Sequence, residues 1–157
     1  MLKVVGVKEP SSVIVEFGQY VLLNVEFCKE QVPAAPYYWR VGNFVDSLVE
    51  IGLNRSSGAI ATVGLIAYGE SDFLVGDEDY LKCVSVAGLP MFNIDGWPSD
   101  RYKDEVGFLS VAENEVCLVL QFSLDRVVSR VYDSCGVRFG VNLNDDLAWI
   151  AVSKGKR

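Results

Sequence analysis

The side chains with the clearest capacity for recognition chemistry crowd into the middle of this 157-residue chain. Asp72, Asp77, Glu78, Asp79 and Tyr80 come first, followed by Trp97, Asp100, Tyr102, Asp104 and Glu105. Carboxylates at this density steer a cationic protein into contact and pair bidentately with arginine, while desolvated tyrosine and tryptophan carry most of the affinity at an interface. These ten residues are therefore the expected binding surface for a basic protein partner. Trp97 admits a second reading, as a loop aromatic packed on the core.

Other chemistries find less support. Paired carboxylates can hydrolyse glycosides without histidine, but 21 acidic residues offer too many pairs for composition to choose one. The runs Asp77-Glu78-Asp79 and Asn142 to Asp146 carry oxygen ligands, yet neither has the alternating acids, central glycine and terminal glutamate of a calcium loop. Histidine is absent, which removes the commonest general base near neutral pH and the usual imidazole metal ligand. Cys28, Cys83, Cys117 and Cys135 never approach a C-x-x-C spacing, and Cys117, flanked by Val116 and Leu118, reads as a buried free thiol. No Walker A, G-x-G-x-x-G, H-E-x-x-H or G-x-S-x-G motif occurs. The expectation is a non-catalytic protein without cofactor or metal.

Charge points the same way. The net charge is −7, and residues 70–115 alone hold eleven acids against Lys82, Arg101 and Lys103. Such a surface repels nucleic acid, so no direct nucleic-acid contact is expected, and the closing Lys154-Gly155-Lys156-Arg157 reads as a solvated, frayed tail. No apolar run is long enough for a membrane helix, and Lys3, Lys8 and Glu9 interrupt any secretory h-region in residues 1–10. Those features predict a cytoplasmic protein without membrane contact, folded as one domain over residues 1–157, with 69–105 an acidic, loop-rich segment inside it.

The elements that must position these residues read mostly as strands. β-branched and aromatic runs flank polar or glycine-containing turns in four places: 12–17 with 20–27, 47–53 with 59–68, 106–111 with 116–122, and 137–141 with 147–152. Each is an expected hairpin. Residues 31–39, with Pro33 and Pro36, read as an extended connection, and a short helix is possible near 41–44. Residues 123–133 fit a helix or, preferably, a strand. Val49 to Asn54 and Val137 to Asn142 share the pattern V-x-[IF]-G-[LV]-N, 88 residues apart. This is either a duplicated half or a common way for a strand to enter a turn, and the mid-strand glycine suggests a bulge or a close backbone approach. The expected fold is mainly β, an antiparallel sandwich or partly open barrel of roughly eight to ten strands built from successive hairpins, with one or two short helices and α+β as the alternative.

The stretch Ser47-Leu48-Val49-Glu50-Ile51-Gly52-Leu53-Asn54, with Ser57-Gly58-Ala59-Ile60, Gly88-Leu89-Pro90-Met91-Phe92 before Trp97, and the closing Val137 to Val141 and Leu147 to Ile150, resembles small bacterial proteins that include immunity proteins of contact-dependent and polymorphic toxin systems. That resemblance implies a stoichiometric inhibitor that covers the active site of a cognate toxin, often a nuclease with a cationic surface. An assembly module and a carboxylate-dependent hydrolase are the alternative functions.

Overall fold

Strand-forming residues dominate the observed architecture. The structure, a computed structural model, describes residues 1–18, 21–28, 35–69, 73–75, 79–98, 101–125 and 127–155, with the backbone alone for 73–75 and Asp79. The chain is mainly β: among the described residues there are fifteen strands and one four-residue helix. The count exceeds the expected eight to ten because several strands are only two to four residues long.

Two large sheets stack face to face, as in a sandwich, and do not close into a barrel. The first has six strands: β2 (Val13–Glu16), β3 (Leu23–Phe27), β4 (Tyr37–Gly42), β5 (Leu48–Leu53), β6 (Ile60–Ala67) and β10 (Tyr102–Val106), in the order β10-β4-β5-β6-β3-β2. The second has seven: β7 (Phe73–Val75), β8 (Val86–Ala87), β11 (Ser110–Glu113), β12 (Cys117–Gln121), β13 (Arg130–Ser134), β14 (Val137–Val141) and β15 (Leu147–Ser153), in the order β7-β11-β12-β15-β14-β13-β8. A ribbon of β1 (Val4–Lys8) and β9 (Leu89–Phe92) adds a third, two-stranded sheet. The main core lies between the large sheets, where Trp39 meets Phe122 edge-on at 5.4 Å and Phe27 meets Phe139 at 5.9 Å.

All four expected hairpins are present as antiparallel pairs, β2–β3, β5–β6, β11–β12 and β14–β15, but the first strand of the third is Ser110–Glu113 and not 106–111, because Val106 ends β10 beside β4 in the other sheet. Three expectations change. Tyr37, Tyr38 and Trp39 belong to β4, not to an extended connection, because the alternation of Trp39 and Val41 inward with Tyr38 and Arg40 outward fits a half-buried strand. No helix forms near 41–44; β4 runs to Gly42, and the Asn43 side-chain oxygen accepts the N–H groups of Val45, Asp46 and Ser47 to close the turn. Residues 123–129 are irregular where described, with the strand confined to Arg130–Ser134. The basic tail is also less free than expected: Lys154 donates its backbone N–H to Val116 and pairs its ammonium with Glu113 at 2.5 Å, while residues 156–157 lie outside the described set. Cys117 is fully buried and stands outside any disulfide, in keeping with its apolar neighbours.

The two large sheets repeat one topology. Setting β5–β6 on β14–β15 puts β4 on β13, β3 on β12 and β2 on β11, and each unit adds a parallel strand at one edge, β10 beside β4 and β8 beside β13. The shared sequence pattern falls at the same place in each. Asn54 and Asn142 both accept backbone N–H groups of the following turn, Ser56 and Ser57 in one and Asn144 and Asp146 in the other. Gly52 and Gly140 both precede a register shift. A Cβ on Gly52 would lie 2.3 Å from Thr62 Oγ1 and 3.3 Å from the Tyr38 ring, and one on Gly140 would lie 2.2 Å from the Trp149 indole. Close approach by a neighbouring side chain is thus the reason for glycine at both positions. The repeat of topology favours the duplicated-half reading of the pattern.

No helix among the described residues is long and apolar enough to cross a membrane.

Candidate protein-binding edge

β10 brings the second half of the central segment to the edge of the six-stranded sheet. It pairs in parallel with β4, so that Tyr102 lies opposite Tyr38 and Asp104 opposite Arg40. All four point away from the core, because the intervening Trp39 and Val41 point into it. The Tyr38 and Tyr102 rings stack at 5.6 Å and 25°. Arg40 then lies over Tyr102 at 4.2 Å and forms a two-pronged ion pair with Asp104, Nε to Oδ1 at 2.6 Å and Nη2 to Oδ2 at 2.7 Å, with Glu50 at 4.0 Å on its other side. Arg101 sits 5.9 Å from both tyrosine rings. A second set occupies the neighbouring end of the same strands: Trp97 packs on Tyr37 at 5.7 Å, Lys103 lies over Trp97 at 5.0 Å, and Arg55 over Tyr37 at 4.5 Å.

The electrostatics of this edge are largely self-contained. The hydrogen bond from Arg40 holds the Asp104 carboxyl below its usual range and raises the guanidinium in turn. Burial pushes Glu105 upward, but the hydrogen bond from the Met1 ammonium and the positive charges of Met1 and Lys103 outweigh it, and the carboxyl ends below its usual range. Trp39 Nε1 is buried and meets no acceptor at full hydrogen-bond geometry, so the Met1 ammonium is the firmer partner. Both acids stay ionised at neutral pH and neither is suited to donate a proton there.

The described members of the ten expected interface residues do not form one patch. Trp97, Tyr102, Asp104 and Glu105 gather at the β4–β10 edge. Tyr80 goes elsewhere: helix α1 (Asp79–Lys82) lies against the outer face of the seven-stranded sheet, where the Tyr80 ring is buried and meets Trp149 edge-on at 4.9 Å. Asp79 opens that helix, its side chain outside the described set, and Asp72, Asp77, Glu78 and Asp100 lie outside the described residues. Trp97 is half-buried against the main core, which realises the packed-aromatic reading while leaving its edge beside Lys103. Asp104 and Glu105 have counterions within the chain, so they do not present bare negative charge.

Sequence reasoning missed Tyr38, Arg40, Tyr37, Arg55 and Arg101. The available signal was the alternation Tyr37, Trp39, Val41 against Tyr38, Arg40, masked by the prolines just before it. No protein-family model matches this chain, and no curated protein matches it either.

Proposed function

We propose that this chain is a non-catalytic, cytoplasmic protein-binding protein of the immunity type, which neutralises a cognate toxin domain by covering its active site, with the β4–β10 edge as its anchor. The observation that carries this reading is the outward-facing, prearranged cluster of half-buried Tyr38 and Arg40 with exposed Tyr102 and Asp104. Tyrosine, tryptophan and arginine are the residues that dominate binding energy at protein interfaces. Here their side chains are already held by stacking and a two-pronged ion pair, which lowers the ordering cost of association. The net charge of −7, concentrated in residues 70–115, attracts a basic partner over longer range, while the edge supplies the short-range contacts.

The test is calorimetric titration with the protein encoded immediately upstream of this chain's gene, at about 50 mM and about 500 mM salt. The expected result is a one-to-one complex that weakens with salt and loses at least about tenfold in affinity in Tyr102→Ala. Absence of a complex, or an affinity indifferent to that substitution, would contradict the proposal.

A further inference from the structure

The repeat of topology leaves one place unequal. In the seven-stranded sheet the outer edge of β11 is taken by β7, added in parallel with Val111 opposite Phe73 and Glu113 opposite Val75. β2 holds the equivalent place in the six-stranded sheet, and among the described residues no strand pairs with its outer edge. We infer that a second copy of this chain fills that place, β2 pairing antiparallel with its counterpart about a two-fold axis through Ile14.

The register makes β2 complementary to itself. Cys28 donates its N–H to Ser12 C=O, so Ser12 and Cys28 form a bonded pair on the β2–β3 ladder, and Ile14 with Glu26 and Glu16 with Asn24 follow at every second residue. The backbone groups of Val13 and Val15 therefore point to the open side. With Ile14 on the axis, Val13 meets Val15 of the second copy and Val15 meets its Val13, and every outward N–H and C=O of the two valines finds a partner. Ile14, 50% exposed, packs against itself on the outer face. On the inner face, Val13 and Val15 line a groove of about 610 Å³ with Phe17, Cys135, Ser153 and Lys154, which seats the apolar side of the added strand.

Charge permits the pairing. Glu16 falls opposite Ser12 of the second copy rather than opposite an acid. Glu26 lies three strand spacings, about 14 Å, from its own copy, beyond the screening length of about 8 Å in physiological salt. The other edge of the same sheet is built differently: β10 carries Lys103, Asp104 and Glu105 in succession, the kind of charge that blunts an edge against pairing, whereas β2 has Glu16 alone.

Sedimentation equilibrium of the full chain from about 10 μM to about 1 mM tests this. The wild type is expected to show a reversible monomer–dimer equilibrium, strengthened by salt because each copy carries a charge of −7. Ile14→Lys and Ile14→Glu, at a half-exposed position, are each expected to keep the wild-type circular dichroism and urea midpoint while weakening the dimer at least tenfold. Because residue 14 faces itself, an equimolar mixture of the two variants is expected to pair again. Tyr102→Ala is expected to leave the dimer intact, which separates this inference from the toxin complex. A wild type that stays monomeric throughout, or a dimer that neither variant weakens, would overturn it.

Discussion

The outer faces of the two large sheets start from the same plan and end in opposite states. On the six-stranded sheet, Arg40 of β4 faces Glu50 of β5 across the strands; on the seven-stranded sheet the equivalent Asp133 of β13 faces Arg138 of β14, with the signs reversed. Beside the first pair the face continues into Gly64 and Asn24, and among the described residues no second apolar cluster packs over it; beside the second it continues into Ala151, Val119 and Ala112, which join Trp149 and Cys117 under the cover of Tyr80, Leu81 and Cys83. Even the ion pair is recruited to the cover, since Arg138 also donates to the Cys83 carbonyl at 2.9 Å. Small apolar side chains invite a second hydrophobic layer, and glycine, asparagine and charge do not. The lesson is that one topology can serve stability on one sheet and recognition on the other, decided by a handful of outward positions.

The largest expected effect breaks the covered face. Trp149→Ala removes a fully buried indole and the seat of Tyr80, and should cost about 3–5 kcal/mol in urea unfolding. Next come the equivalent glycines. Gly140→Ala drives a methyl into the Trp149 ring and should cost about 1–3 kcal/mol, whereas Gly52→Ala meets chiefly the Thr62 hydroxyl, which can rotate, and should cost less than half as much in the same assay. Equal costs at the two glycines would mean that the faces are not packed as differently as the structure implies.

Much of this division could be read in the sequence, and the reasons it stopped are physical. The four hairpins announced themselves through β-branched runs and polar turns, and the V-x-[IF]-G-[LV]-N pattern marked equivalent strands because glycine is needed under a covering side chain and asparagine to cap the turn. Pairings between strands distant in the chain were not legible. Nothing local says that Tyr102 will lie beside Tyr38, or that Tyr80 will fold back onto Trp149, so a run of acids and aromatics looked like one surface when the fold sets Tyr80 and Tyr102 on different sheets. The counterions of Asp104 and Glu105 were hidden for the same reason, lying 64 and 104 residues away.

Smaller effects belong to the open face. Arg40→Ala frees Asp104 and should change stability by no more than about 1 kcal/mol, because the pair is partly exposed to solvent. Asp104 and Glu105 both have folded-state values below their usual range, so the stability they contribute is present above about pH 4, the unfolded carboxyl range, and is lost as the pH falls through their lowered folded values. An acid titration of the urea midpoint should therefore show a shallower decline below about pH 4 in Asp104→Asn than in the wild type.

The most direct test of the account joins affinity to stability in one variant. Tyr102→Ala, titrated against the protein encoded immediately upstream and unfolded in urea in parallel, is predicted to bind at least about tenfold more weakly than the wild type with an unchanged unfolding midpoint. Undiminished affinity, or a loss accompanied by a large fall in the midpoint, would contradict the assignment of recognition to the β4–β10 edge.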